Sequence, residues 1–159
     1  MCLVSRKRLS DRINYPVIVI ALVVTAIDAL SKLWARHALR SHAIHVGGGI
    51  WLRLQYNSGI SFSFNQTRSL LTTIVTVVVA LAVVAVGLRA RWGLATVGFG
   101  LLIGGGVANV VDRLSANLHQ VTDFIALGSF PVFNVADVAI TAGFITLLAA
   151  ALTGEKLLA

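Results

Sequence analysis

The chain has 159 residues, 57% of them apolar and only 12% charged, with a mean hydropathy of +0.88. That balance excludes an ordinary soluble enzyme and indicates one compact polytopic membrane unit. The formal charge of +7 comes from basic residues at the ends of apolar runs, without interleaved aromatics, which fits an anionic lipid surface and argues against nucleic acid as a partner.

Four runs approach the roughly 20 residues that cross a bilayer as helix. They cover about 15–35, 69–88, 92–111 and 134–153. The first follows the basic residues Arg6, Lys7, Arg8 and Arg12, but it is too long for a cleaved leader, lacks a clean small-residue cleavage site and carries Asp28 and Lys32 near its end. It reads as a permanent helix. The single cysteine, Cys2, lies before it in the basic tail, which excludes an internal disulfide or a Cys-ligated metal cluster. Four spans place both termini and the 89–91 loop on one side with seven basic residues, against Arg36, Arg40, Arg53, Arg68 and Arg113 on the other. The bias puts the termini in the cytoplasm.

Asp28 and Lys32 are four apart and share a helix face, so an ion pair that anchors the helix end is preferred to direct catalysis. His37, His42 and His45 follow, with no third ligand or Glu that would make them a metal site. In the stretch 44–66, Ile50, Leu52, Leu54 and Tyr56 alternate with Trp51, Arg53, Gln55 and Asn57. That is the period of a half-buried strand. A turn at Asn57-Ser58-Gly59 and a second alternation through Phe62 and Phe64 complete a small antiparallel element on the outer surface. Asn57 serves equally well as a turn residue or as an amide aimed at a ligand.

The second long run is uncharged between Arg68 and Arg89 and reads as scaffold. In the third, Gly100, Gly104 and Ala108 recur every four residues, with Gly105 and Gly106 beside them. Such a stripe permits close helix contact and delivers Asn109, Asp112 and Arg113 to the outer end of the bundle. An internal Asp112–Arg113 pair is expected there, with Arg113 also able to orient a substrate carbonyl or lipid ester. Residues 118–133 return to strand-like character around Val121, Asp123 and Ile125, then turn at Gly128-Ser129 and Pro131. Asn134 precedes the last run with an acid three residues on, a capping-box-like start.

Two of only six acidic residues, Asp123 and Asp137, therefore sit near the membrane with no Lys or Arg between 114 and 155. Alone, Asp137 is an ordinary first-turn acid. Together the two are the raw material of a dyad sharing one proton. Because a helix N-terminus favours the anion at Asp137, the resting proton is expected on Asp123.

In order and spacing, Asp28-Ala-Leu-Ser-Lys32, Asn57-Ser-Gly59, Gly104-Gly-Gly-Val-Ala-Asn109-Val-Val-Asp112-Arg113, Val121-Thr-Asp123-Phe and Phe133-Asn134-Val-Ala136-Asp137 resemble the blocks of lipoprotein signal peptidase, the bacterial type II signal peptidase. Ala108 stands where that family usually has Gly, and Ile60-Ser61 replace its usual small pair. The resemblance implies a mainly α, polytopic membrane protein with four transmembrane helices and a small extracytoplasmic antiparallel β element. It implies an aspartyl endopeptidase of the bacterial inner membrane, active at the extracytoplasmic face, that cuts prolipoproteins before a diacylglyceryl-modified cysteine. Asp123 and Asp137 would be its catalytic pair. Asn57, Gly59, Asn109, Arg113, Asn134 and Ala136 would shape the site, with Asp28, Lys32 and Asp112 as supporting polar positions. Neither metal nor cofactor is implied; the partners are the lipidated substrate and membrane lipid, and the enzyme is expected as a monomer. The alternatives from the residues alone are a small proton-coupled transporter and a non-catalytic scaffold built on the glycine stripe.

Overall fold

The computed structural model describes residues 13–58, 66–115 and 120–158, with the side chains of 66–69 left aside. The elements run α1 (Tyr15–Ala38), β1 (Ile44–Gly47), β2 (Ile50–Asn57), α2 (Gln66–Gly87), α3 (Leu94–Ser115), β3 (Val121–Leu127) and α4 (Val135–Leu152). All four helices are long and apolar enough to cross a membrane, and the sheet is three-stranded and antiparallel in the order β1-β2-β3.

α3 is the central helix, flanked by α1, α2 and α4. Its glycines explain why. A Cβ on Gly104 would lie 2.6 Å from the Val24 Cβ of α1, and one on Gly105 would lie 2.5 Å from the Ala136 carbonyl oxygen of α4. Backbones at that separation tolerate only glycine, so the small-residue stripe sets how closely α1 and α4 approach α3. α2 packs on α3 and leaves Leu71, Val78 and Leu81 turned outward, as a lipid-facing scaffold helix should be.

The apolar interior divides in two. One cluster joins Val17, Ala21, Ala90, Ala95, Phe99 and Ile103 near the chain termini; the other joins Ala35, Leu39 and Phe124 beneath Leu52, Leu54 and Ile125 of the sheet. Between them along α1 and α3 lie the buried polar residues Asp28, Lys32, Asn109, Asp112 and Arg113.

The described sheet contains a hairpin ahead of the expected strand. The strand at 50–57 forms, with Leu52 and Leu54 as its half-buried apolar residues, and it makes a hairpin with β1 through Gly48 and Gly49 at φ +58° and +80°. Two consecutive left-handed residues make the tight turn whose twist matches the strands, and glycine adopts them without steric cost. The expected turn residue Gly59 and the alternation through Phe62 and Phe64 lie outside the described residues. On its other edge β2 pairs with β3, placing Gln55 opposite Asp123 and Asn57 opposite Val121.

Candidate active site

The site is assembled where β3 returns to start α4. After the turn at Gly128, Phe133 pairs back onto β3: it accepts the Phe124 and Ile125 N–H groups at 3.0 and 2.8 Å and donates its own to Ile125 at 2.9 Å. This return sets Asn134 beside Asp123, eleven positions earlier. Asn134 is fully buried, and its side-chain N–H donates to Asp123 Oδ1 at 2.6 Å. Its side-chain oxygen accepts the Asp137 N–H at 2.9 Å, while Asp137 Oδ2 accepts the Asn134 N–H at 3.1 Å, which closes the capping box of α4. One residue thus links both acids, through its side-chain N–H to Asp123 and its backbone N–H to the Asp137 carboxylate.

Each carboxylate has a second donor. Asn57 donates to Asp123 Oδ2 at 2.9 Å, and Asn109 donates to Asp137 Oδ1 at 2.9 Å. Asn57 therefore has its amide on a carboxylate, besides standing at the strand end. Asp123 is 1% exposed, and burial pushes its carboxyl up to about 6 against the pull of the Asn57 and Asn134 donors; neighbouring Asp137 adds to the rise and Lys32 opposes it. Arg113 is buried within electrostatic reach of Asp112, Asp123 and Asp137.

Behind the pair lies a chain of charges. Lys32 Nζ meets Asp28 Oδ2 at 2.7 Å, as the four-residue spacing predicts, and also donates to Asn109 Oδ1 at 2.9 Å. Asp28 Oδ1 accepts the Ala136 N–H at 2.8 Å, so the pair does more than neutralise itself: it holds the first turn of α4. Ala136 contributes that N–H and a fully buried methyl.

Beside Asp137 a cavity of about 580 Å³ opens along α4, lined by Asn57, Phe130, Pro131, Phe133, Val138, Thr141, Ala142 and Ile145. Its walls are apolar, and Asp137 and Asn57 stand among them.

The family described as Signal peptidase (SPase) II, peptidase family A8, matches residues 20–153 of this chain. The chain belongs to the signal peptidase II family. It is 38% identical over 149 residues to the lipoprotein signal peptidase of Rhodococcus jostii (strain RHA1), covering 86% of this chain and 72% of that one. It is 38% identical over 146 residues to that of Nitrobacter hamburgensis, covering 82% and 88%. Among solved structures, a bacterial membrane enzyme determined by the in meso method at 1.9 Å superposes with a TM-score of 0.73 at 26% identity, covering 86% of this chain and 92% of that one. The protein is thus a multi-pass membrane protease of the signal peptidase II type.

Asp112 Oδ1 meets Arg36 Nη2, its Oδ2 accepts the Thr122 N–H at 2.6 Å, and Lys32 Nζ lies 3.6 Å away, while Arg113 stands within its electrostatic reach. From its place on α3, Asp112 thus bonds to both α1 and β3. Arg36 and Thr122 escaped notice in the sequence. The first helix runs to Ala38, beyond the expected end at 35, so that Arg36 extends the Asp28–Lys32 face by four more residues. That spacing was the available signal.

Proposed function

We propose that the chain is an aspartyl endopeptidase that removes signal peptides from prolipoproteins by cutting before a diacylglyceryl-modified cysteine, with Asp123 and Asp137 as its catalytic pair. The observation that carries this reading is Asn134, which donates its side-chain N–H to the Asp123 carboxylate and its backbone N–H to the Asp137 carboxylate, beside an apolar cavity. The names of the curated relatives supply the substrate class.

In the mechanism, Asp137 enters as the anion, facing the donors of Asn109 and Asn134 in the first turn of α4, and Asp123 enters with the proton. A water held between them attacks the scissile carbonyl as Asp137 takes its proton, while Asp123 hydrogen-bonds the developing oxyanion and passes its proton to it. Collapse of the tetrahedral intermediate breaks the C–N bond. The amine leaves with the proton from Asp137, and Asp123 recovers its own from the hydroxyl. Arg113 adds positive charge behind the pair, and Gly59 belongs with the site-shaping positions carried by the family pattern.

The apolar walls from Val138 to Ile145 suit the lipidic part of a substrate that stays in the bilayer while its peptide bond reaches the carboxylates. The polar groups gather at the C-terminal ends of α1 and α3 and at the N-terminal end of α4, and the basic balance of the loops supports the reading that this end faces the extracytoplasmic side of the inner membrane. The unit acts as a monomer on lipidated substrate and needs no cofactor.

Purified protein in detergent, with no gradient, should cleave a diacylglyceryl-modified prolipoprotein, and Asp123→Asn or Asp137→Asn should each abolish cleavage while leaving the protein folded. Cleavage by either variant sinks the dyad; activity only across a gradient returns the transporter. Infrared difference spectra test the proton's place: a protonated carboxyl that survives in Asp123→Asn and vanishes in Asp137→Asn reverses the assignment.

A further inference from the structure

Thr122 is 1% exposed and immediately precedes Asp123 on β3. It is gripped twice. Its backbone N–H donates to Asp112 Oδ2 at 2.6 Å, and its hydroxyl accepts from Arg36 Nε at 3.0 Å and Nη2 at 2.7 Å. Arg36 Nη2 also meets Asp112 Oδ1, so guanidinium, carboxylate and threonine close a ring that ties α1, α3 and β3 together.

The ring does not touch the acids, yet it acts one residue away from one of them. Successive strand residues point to opposite faces, so fixing Thr122 toward α1 and α3 directs Asp123 toward Asn57 and Asn134. A side chain 35% exposed, as that of Arg36 is, adds little stability through an ion pair alone. Its rigid fork can nevertheless hold two acceptors at fixed angles, which a lysine ammonium cannot do in the same way.

We infer that Arg36 and Thr122 are positioning residues for Asp123: the guanidinium grips β3 one step ahead of the carboxylate and sets the roll of the strand that carries it. The inference rests on the reading of Asp123 as a reacting acid. Arg36 never contacts substrate in this scheme. It determines whether the carboxyl stays seated between its two amide donors during turnover.

The test is steady-state cleavage of a lipidated prolipoprotein by the purified full chain in detergent, comparing Thr122→Ser, Thr122→Val, Arg36→Lys and Arg36→Gln, with melting temperatures and pH–rate profiles for each. A displacement of order 1 Å costs up to about 100-fold in rate. Thr122→Ser should stay within about twofold of the parent, and Thr122→Val should lose about tenfold or more in kcat with KM nearly unchanged, the mark of lost transition-state geometry. Arg36→Lys should fall between the parent and Arg36→Gln, and the pH limb governed by Asp123 should move in Thr122→Val. Thr122→Val conserves volume and every backbone bond, so it decides the matter even where Arg36→Gln fails to fold. Equal kcat and equal pH profiles for the serine and valine variants, or rate losses that merely track unfolding, overturn the proposal. Asp123→Asn in the same assay separates the two readings: if it cleaves, Asp123 is not a reacting acid; if it is inert while Thr122→Val and Arg36→Gln match the parent, only the positioning role is lost.

Discussion

Lys32 donates to the side-chain oxygen of Asn109 at 2.9 Å. A lysine ammonium has donors only, so this bond fixes which end of the amide is oxygen and turns the Asn109 N–H groups toward Asp137. Four buried or half-buried groups on three helices, Asp28, Lys32, Asn109 and Asp137, are thereby joined in one line.

Removing the cation should break that line at its costliest point. Lys32→Met leaves Asp28, 1% exposed, without its ion-pair partner, and an uncompensated buried charge costs about 3–5 kcal/mol. Thermal unfolding in detergent should show a large loss for Lys32→Met and a partial recovery for the double variant Asp28→Asn/Lys32→Met. No recovery would mean that the two charges do not act as a pair.

Asp123 should trade stability for function. Its carboxyl stands at about 6 in the folded chain against roughly 3.9 when unfolded, so between those values the folded state binds more protons. Stability from this group is therefore full below about pH 4 and lost as pH rises through 6, at a cost on the order of 3 kcal/mol by pH 7. Asp123→Asn should melt higher than the parent at pH 7, with the gain fading toward pH 4. In the proposed mechanism the same proton is needed for catalysis, so kcat/KM for the parent should fall on an alkaline limb near 6. A gain that is constant with pH would dissociate the carboxyl from the stability difference.

Two adjacent glycines of α3 should behave oppositely. A methyl at Gly105 meets the Ala136 carbonyl at 2.5 Å and must push α4 away, whereas a methyl at Gly106 finds nothing nearer than Ala80 Cβ at 3.9 Å. Gly105→Ala should lose about 1–3 kcal/mol and most of its activity, since Asp137 is carried on the displaced turn. Gly106→Ala should be neutral or slightly stabilising through helix propensity. Equal melting points and rates for the two would mean that the α3–α4 approach does not set the site.

Asp112→Asn keeps one oxygen and so can keep one of its two bonds, to Arg36 or to the Thr122 N–H. The expected result is a melting temperature lower by several degrees, from a loss of about 2 kcal/mol or more, with reduced but measurable cleavage. Unchanged melting with complete inactivity would place Asp112 among the reacting groups.

The four helices were legible because transfer from water to lipid is summed over each run independently of its neighbours. Short-range chemistry was legible for a related reason: the Asp28–Lys32 pair and the Asn134–Asp137 capping box are made within one helical turn, so spacing alone determines them. The β2 strand showed its period, but the hairpin ahead of it did not, because successive glycines at 47–49 carry no alternation and only the pairing of β1 with β2 makes them a turn.

Sequence by itself determined a four-helix membrane chain and which acids stood without a local cation, since desolvation and capping act over a few residues. Tertiary structure alone decided that Arg36 meets Asp112, that Lys32 reaches Asn109 across 77 positions, and that Asn134 joins the two acids. Those pairings depend on which helix ends meet, and that is set by how closely glycine lets α1 and α4 approach α3.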